Sequence, residues 1–285
     1  PVYAGLVVGD LDGDGIKDDF AIGNWSGDQI IAFNTSDGQT WEQMYIVDGV
    51  AGGDQPVDLS LGLNDDGYNF IGVATDDYQR CRVFNANNGS FVYESADVGD
   101  EAYDIELIDL DHDGKEDECV IGRSEIVYFI DSEGNTLGSK SEPIDYIFEI
   151  LVVDWDEDGY KDDVIVASRG RVTVYNESRN TLYQYVEEPA SPYNSYINTL
   201  EYVDLDDDGS PDILYSGEGF GPRIISKEKG FIGRIHRYSW DTEAISYYNS
   251  FQGTKSIPDF NNDSLRDIFT FRNNGNLFIG QQALC

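Results

Sequence analysis

Four segments of this chain space aspartates so that their carboxylates can converge: DLDGDGIKDDFAIG from Asp10, DLDHDGKEDECVIG from Asp109, DWDEDGYKDDVIVA from Asp154 and DLDDDGSPDILYSG from Asp204. Each has carboxylates at positions 1, 3, 5 and 9 and glycine at position 6. In a tightly coiled loop alternate side chains turn inward, and the glycine allows the positive φ of a sharp turn. Position 7 then offers only its backbone carbonyl, which explains why Ile16, Lys115, Tyr160 and Ser210 have nothing in common. An all-oxygen set suits Ca²⁺, whose coordination is flexible; zinc would call for Cys or His, and magnesium for fewer protein ligands. The expected carboxylate ligands are Asp10, Asp12, Asp14 and Asp18; Asp109, Asp111, Asp113 and Asp117; Asp154, Asp156, Asp158 and Asp162; and Asp204, Asp206, Asp208 and Asp212.

Two weaker copies complete the series. DFNNDSLRDIFTFR supplies Asp259, Asn261, Asp263 and Asp267 with the Leu265 carbonyl, but Ser264 replaces the glycine, so a weaker fifth site is expected. GLNDDGYNFIGVAT offers Gly62, Asn64, Asp66 and Phe70, a single carboxylate, and is expected to hold no ion. Clustered carboxylates repel by about 1 kcal/mol per pair in water, and by several where the dielectric is lower, so the loops would splay without a cation. The expected role of the ion is structural. A site binding near 10⁻⁴ M in millimolar calcium adds about 1.4 kcal/mol, and five add roughly 7 kcal/mol, the scale of a whole domain's stability.

The copies start at 10, 62, 109, 154, 204 and 259, a period of 45 to 55 residues. Between them lie short β-branched and aromatic runs broken by Gly, Asn, Asp and Ser, without helical periodicity. This predicts an all-β chain, a six-bladed β-propeller of four-stranded blades forming one domain over 1–285, with repeats near 1–52, 53–100, 101–146, 147–195, 196–250 and 251–285. In the first unit the strands are expected at Val2–Val8, Phe20–Asn24, Gln29–Phe33 and Thr40–Val47. Outer pairs are expected at RCRVFN and SFVYES, EIVYFI and NTLGSK, RVTVYN and TLYQYV, and GRIHRY and AISYYN. The sixth unit, with strands at Ile268–Arg272 and Asn276–Gly280, lacks an outer strand in this reading, and its open edge invites strand addition.

The 285 residues include 55 acidic and 18 basic side chains, a formal charge of −37. Five bound Ca²⁺ ions would bring that to −27. Such a surface argues against nucleic-acid partners and against anionic membranes, and no apolar run is long enough for membrane insertion. The chain opens at Pro1 without a signal-like run and reads as a mature or trimmed piece, while sequons at Asn24, Asn34, Asn88, Asn176 and Asn262 suit an exported protein. Cys81, Cys119 and Cys285 are too few for a disulfide framework and read as buried thiols and a tail thiol. His112 sits at a loop tip as a solvated residue, His236 lies in a strand, and no nucleophile motif occurs, so no catalytic residue is assigned and a non-catalytic protein is expected. A glycosidase pair among the many carboxylates is not singled out.

The pattern D-x-D-x-D-G-x-x-D-[DI]-x-x-[IV]-[GA] resembles the FG-GAP/VCBS repeat of integrin α-subunit-like β-propellers, over essentially the whole chain as six units. The resemblance implies structural calcium in the hairpin between a blade's first two strands, at the aspartates named above. It implies partners on the opposite face or the rim, and an extracellular or cell-surface setting. That family is mostly adhesive or scaffolding, with some lectins and a few carbohydrate-active enzymes. This chain has no D-x-S-x-S or RGD sequence, so an integrin-type ligand mechanism is not carried over.

Together these readings point to a calcium-binding adhesive or assembly protein of the cell exterior, forming a filament or surface layer. The alternative is a lectin-like module or polysaccharide-active domain of a larger surface protein. Expected contacts are protein partners or self-association through the open sixth-blade edge and the basic patch 223–237 (RIISKEKGFIGRIHR). Carbohydrate is the other candidate, since 19 tyrosines and 4 tryptophans can stack on sugars, although Trp25, Trp41, Trp155 and Trp240 do not fall at equivalent repeat positions and core packing explains the aromatics more simply.

Overall fold

A computed structural model describes residues 3–35, 40–50, 55–64, 69–75, 80–99, 102–142, 146–186, 197–205, 209–217, 220–227, 230–234, 251–257, 267–272 and 277–280. Among these there is no α-helix, and the strands form six antiparallel sheets in which consecutive strands are neighbours. The first sheet runs β1 (Tyr3–Gly9), β2 (Asp19–Asn24), β3 (Gln29–Asn34), β4 (Glu42–Asp48), and the second β5 (Pro56–Gly62), β6 (Phe70–Thr75), β7 (Cys81–Asn85), β8 (Phe91–Glu94). The third is β9 (Ala102–Ile108), β10 (Glu118–Arg123), β11 (Ile126–Ile130), β12 (Thr136–Ser141), and the fourth β13 (Glu149–Val153), β14 (Asp163–Ser168), β15 (Arg171–Tyr175), β16 (Thr181–Val186). The fifth holds β17 (Ile197–Val203), β18 (Asp212–Gly217), β19 (Phe220–Ser226) and β20 (Gly230–Arg234). The sixth has β21 (Phe251–Ile257), β22 (Asp267–Arg272) and β23 (Leu277–Gly280), three strands among the described residues.

The four strands of the first sheet and the outer pairs of the second, third and fourth fall within a residue or two of the expected runs. The fifth sheet corrects the expectation. Its third and fourth strands are β19 and β20, paired from Arg223↔Arg234 to Ser226↔Gly230, whereas the sequence reading put them at GRIHRY and AISYYN. The run SGEGFGPR looks like a loop because of its glycines and proline, yet Pro222 lies within β19. AISYYN, His236, Lys229 and Arg237 lie outside the described residues.

The chain divides into two compact units, 1–164 with 175–180 and 165–174 with 181–285, the division running through the fourth sheet. In the first unit, sheets pack face to face. Val7, Ala21, Ile30 and Ala32 of the first sheet meet Leu59, Ile71, Val73 and Phe84 of the second, with Leu11 and Val50 between. The other face of the second sheet, through Phe70, Ala74, Cys81, Val83 and Tyr93, meets Ala102, Ile105, Leu107, Cys119, Ile121 and Ile130. β6 is therefore covered on both sides and buried throughout, so its sequence FIGVAT does not alternate, and β14 (DVIVAS) is likewise buried throughout. Fourth strands such as β12 and β16 alternate exposed and half-buried residues. In the second unit Leu205, Leu214 and Ile224 form a smaller core with Val203.

First strands share a bulge: the register slips between Ala4 and Leu6 in β1, Pro56 and Asp58 in β5, Ile197 and Thr199 in β17, and Phe251 and Gly253 in β21. Neighbouring sheets also lock at their turns. Gly134, in the β11–β12 turn, has φ 87°, and a Cβ there would lie 2.2 Å from the Glu94 carbonyl oxygen of the second sheet. Gly134→Ala is expected to cost about 2 kcal/mol, from the left-handed backbone and the displaced neighbour together, and urea denaturation would read it as a lower midpoint at unchanged slope.

Candidate metal centres

The acidic loops join the first and second strands of their sheets, where the register closes as Gly9↔Asp19, Ile108↔Glu118 and Val203↔Asp212. The glycine at position 6 has positive φ in every described copy: 89° at Gly15, 88° at Gly114, 97° at Gly159 and 93° at Gly209. Position 4 is also left-handed, at Gly13 (81°), His112 (60°) and Glu157 (63°). The loops therefore reverse twice, and this turns alternate carboxylates together.

In the first loop one oxygen each of Asp10, Asp12 and Asp14 lie within 4.8 Å of one another, and Asp109, Asp111 and Asp113 do the same in the third sheet. In the fourth sheet the cluster is Asp154, Asp156 and Asp163. Backbone N–H groups hold these side chains in place. Asp10 accepts from Gly13 (2.7 Å), Asp14 (3.1 Å) and Gly15 (2.8 Å), and Asp109 accepts from Asp113 (3.1 Å) and Gly114 (2.9 Å). Asp154 and Asp204 accept from Gly159 and Gly209, at 3.1 and 3.0 Å. Position 5 is fixed likewise, since Asp14, Asp113 and Asp158 accept the N–H of Ile16, Lys115 and Tyr160 at 2.8, 3.0 and 2.9 Å. Lys115 also pairs with Asp113 through its ammonium.

A residue class that spacing alone did not reveal anchors each loop. The carboxylate opening the second strand reaches back to the loop's start. Asp19 Oδ2 accepts from Leu11 N (2.8 Å) and Asp12 N (3.0 Å), and Asp163 Oδ2 from Trp155 N (2.7 Å) and Asp156 N (2.9 Å). Glu118 accepts from Leu110 N at 2.9 Å, and Asp212 from Leu205 N at 3.3 Å. Position 2 is thereby pinned inward, and Leu11, Trp155 and Leu205 are buried. The available signal was an acidic residue heading each second strand, where an apolar one would otherwise start the buried run.

The anchor changes the reading of position 9. In the fifth sheet the loop is 204–211, one residue shorter than 10–18 or 109–117, so Asp212 is the counterpart of Asp19 and not of Asp18. Asp267 likewise opens β22. Asp18, Asp117 and Asp162 precede their second strands, which Asp19, Glu118 and Asp163 head. Asp162 turns to His112, whose Nε2 lies 2.6 Å from its Oδ2, and the His112 ring stacks on Tyr160 at 4.0 Å. His112 is thus a strut between two loops and not a solvated tip, and the bond to Asp162 pushes its pKa up. Asp206, Asp208, Asp259, Asn261, Asp263 and Leu265 lie outside the described residues.

The second copy braces its neighbours. Asn69 donates to the Asp10 carbonyl, Asn64 Oδ1 accepts from Glu116 N (2.9 Å), and Glu116 accepts from Leu63 N (2.8 Å). Electrostatics record the crowding at the tips. Burial pushes Glu118 up to about 7, helped by the charges of Asp117, Asp111 and Asp109, and burial with the nearby Asp156 and Asp162 charges raises Asp163 to about 6.

Two other expectations meet the structure. In the basic patch Arg223 is buried at 7% exposure, so it is not available to a docking partner. Of the aromatics, Trp155 and Tyr215 are core residues, while exposed Trp41 packs edge-on to Phe20 at 4.8 Å. A separate carboxylate group joins the first strands. Asp104 is hydrogen-bonded to Asp58 and accepts the Ile150 N–H, and Glu106 accepts from Ser60 Oγ at 2.7 Å. Burial raises Asp104 and Asp58, whose contact requires a shared proton.

Burial lifts Glu106 from 4.5 to about 7, with the Asp58 charge adding to it and the Ser60 bond opposing it. Because the folded value is the higher one, this group's stabilisation is complete below pH 4.5 and is lost as pH rises through 7. Glu106→Gln keeps an acceptor for Ser60 and is expected to flatten that part of the stability profile, gaining up to about 3 kcal/mol at pH 8 in urea titrations across pH.

Against known proteins, a sequence model of the FG-GAP-like repeat matches residues 154–215. No curated protein matches the chain. Among solved structures, Sqt1 of Chaetomium thermophilum bound to the N-terminus of ribosomal protein L10 is similar at TM-score 0.69 and 12% identity, covering 93% of this chain and 68% of that one. Saccharomyces cerevisiae Sqt1 is similar at TM-score 0.64 and 14% identity, with 94% and 70% covered. BBS1N in complex with ARL6DN follows at TM-score 0.62 and 11% identity, with 92% and 75% covered. These likenesses concern the fold, and they are β-propeller-like. The chain is a propeller protein, and its residues 154–215, from the first aspartate of the fourth acidic loop into β18, carry an FG-GAP-like repeat.

Proposed function

We propose that this chain is a six-bladed propeller of the cell exterior, stabilised by calcium in its acidic loops and acting in adhesion or assembly without catalysis. The observation that carries the metal reading is the convergence of three carboxylate oxygens within 4.8 Å in three separate loops. The donor set fits a hard cation. Asp163 Oδ1, in one cluster, and Asp204 Oδ1 are buried and lack a hydrogen-bond partner among the described residues, as expected of oxygens reserved for an ion. Asp10, Asp12 and Asp14, Asp109, Asp111 and Asp113, and Asp154, Asp156 and Asp163 would hold the ions, with Asp204 belonging to a fourth site. When bound, calcium neutralises the repulsion among these groups and fastens the first strand to the second.

For the partner, the reading rests on a strongly acidic chain and on the edge of β23, the outer described strand of the sixth sheet, as a place for strand addition. The L10 and ARL6DN complexes concern the similar folds, and they lend support to a protein partner here.

Chelation tests the metal. Removing calcium is expected to lower the melting temperature by more than 10 °C, since three or four sites at about 1.4 kcal/mol each sum to about 5 kcal/mol. Equal melting curves in calcium and chelator would overturn the reading. Individual loops are tested by counting ions: Asp12→Ala is expected to lose one bound calcium and leave the rest, as measured by elemental analysis after dialysis. Asp163→Asn is expected to lose one calcium, while Asp162→Ala retains it and loses the tie to His112. Sedimentation with and without calcium tests assembly, which a monomer at all concentrations would refute.

A further inference from the structure

Two cysteines lie outside the loops and the metal reading does not use them. Cys81 opens β7 in the second sheet, and Cys119 is the second residue of β10 in the third. Both are completely buried in the apolar layer between those sheets, among Phe70, Val83, Ile105, Leu107 and Ile121. Their sulfurs face each other at 2.7 Å, well inside the roughly 3.5–4.0 Å at which non-bonded heavy atoms rest. Neither cysteine belongs to a metal-capable cluster. Ser95 Oγ accepts from Cys81 N at 3.0 Å, and the Tyr93 hydroxyl, which donates to the Asp117 carbonyl at 2.8 Å, also lies within hydrogen-bond reach of Cys119.

We infer that Cys81 and Cys119 form a disulfide that cross-links the second sheet to the third. The oxidant is an external disulfide, either a small molecule or an oxidoreductase. One cysteine thiolate attacks it, forming a mixed disulfide and releasing one thiol. The other thiolate then attacks the protein sulfur of that mixed disulfide, forming the Sγ–Sγ bond and expelling the second thiol. The two cysteines give up two protons and two electrons, and the external disulfide is reduced to two thiols. Complete burial in the packed layer places this exchange before the sheets close over the pair. The cross-link spans 38 positions of sequence, long enough to restrict the unfolded chain substantially.

The test is peptide mapping of protein produced in an oxidising compartment, alkylated in denaturant without reductant. The expected result is one linked species joining the Cys81 and Cys119 peptides, short of two hydrogens and alkylated only after reduction. Alkylation of either residue in unreduced protein overturns the inference, whatever the state of Cys285. Protein reduced in denaturant and refolded under reductant is expected to melt about 10 °C below the oxidised form. A Cys81→Ala/Cys119→Ala double variant is expected to melt at one temperature under both conditions. A wild-type melting temperature indifferent to this treatment counts against the cross-link as well.

Discussion

Carboxylate oxygens crowded at hairpin tips are the constraint on which this structure turns. Three oxygens within 4.8 Å of one another repel, and each tip answers with the same devices: backbone N–H groups from position 6, left-handed residues at positions 4 and 6, and an acidic anchor from the next strand. The elevated pKa values of Glu118 and Asp163 record the same conflict, arising from burial first and from neighbouring negative charge. The chemistry of the site and the integrity of the hairpin are therefore one problem. A group that satisfied the oxygens would also tie the first strand to the second.

The sheets make such tips possible by holding both hairpin strands rigidly. Buried second strands such as β6 and β14 fix where their loops end. Successive loops then touch through side chains of no obvious chemical purpose. Asn69 reaches the first loop, Asn64 and Glu116 join the second to the third, and His112 with Asp162 and Tyr160 joins the third to the fourth. The second copy, poorest in carboxylates, gives its Asn64 and Asn69 to this bracing. Its departure from the motif is a change of role, from gathering oxygens to holding neighbouring loops in place.

The β class, the repeat period, the positions of the first, second and third loops' strands, and the convergence of positions 1 and 3 were all legible in the residues. They depend on local rules: period-two alternation, the turn chemistry of glycine, and the direction of alternate side chains in a coil. What escaped is whatever depends on register or on a neighbouring sheet. Asp212 matched Asp18 by counting from position 1, yet strand pairing makes it the partner of Asp19, because one loop is a residue shorter. Asp162 has a second partner that spacing could not show, His112, 50 positions away. β19 was hidden by glycines and a proline that a strand inside a hairpin tolerates.

By itself, then, the sequence settled that the chain is built of repeated β units whose hairpins concentrate acid, since composition and spacing are properties of single segments. Only the tertiary structure decided which oxygens meet, which carboxylates are anchors, that Arg223 is interior, and that Cys81 and Cys119 face each other. Those facts are set by how separate strands register and stack, and a linear spacing carries no record of which distant side chain will arrive at a given distance.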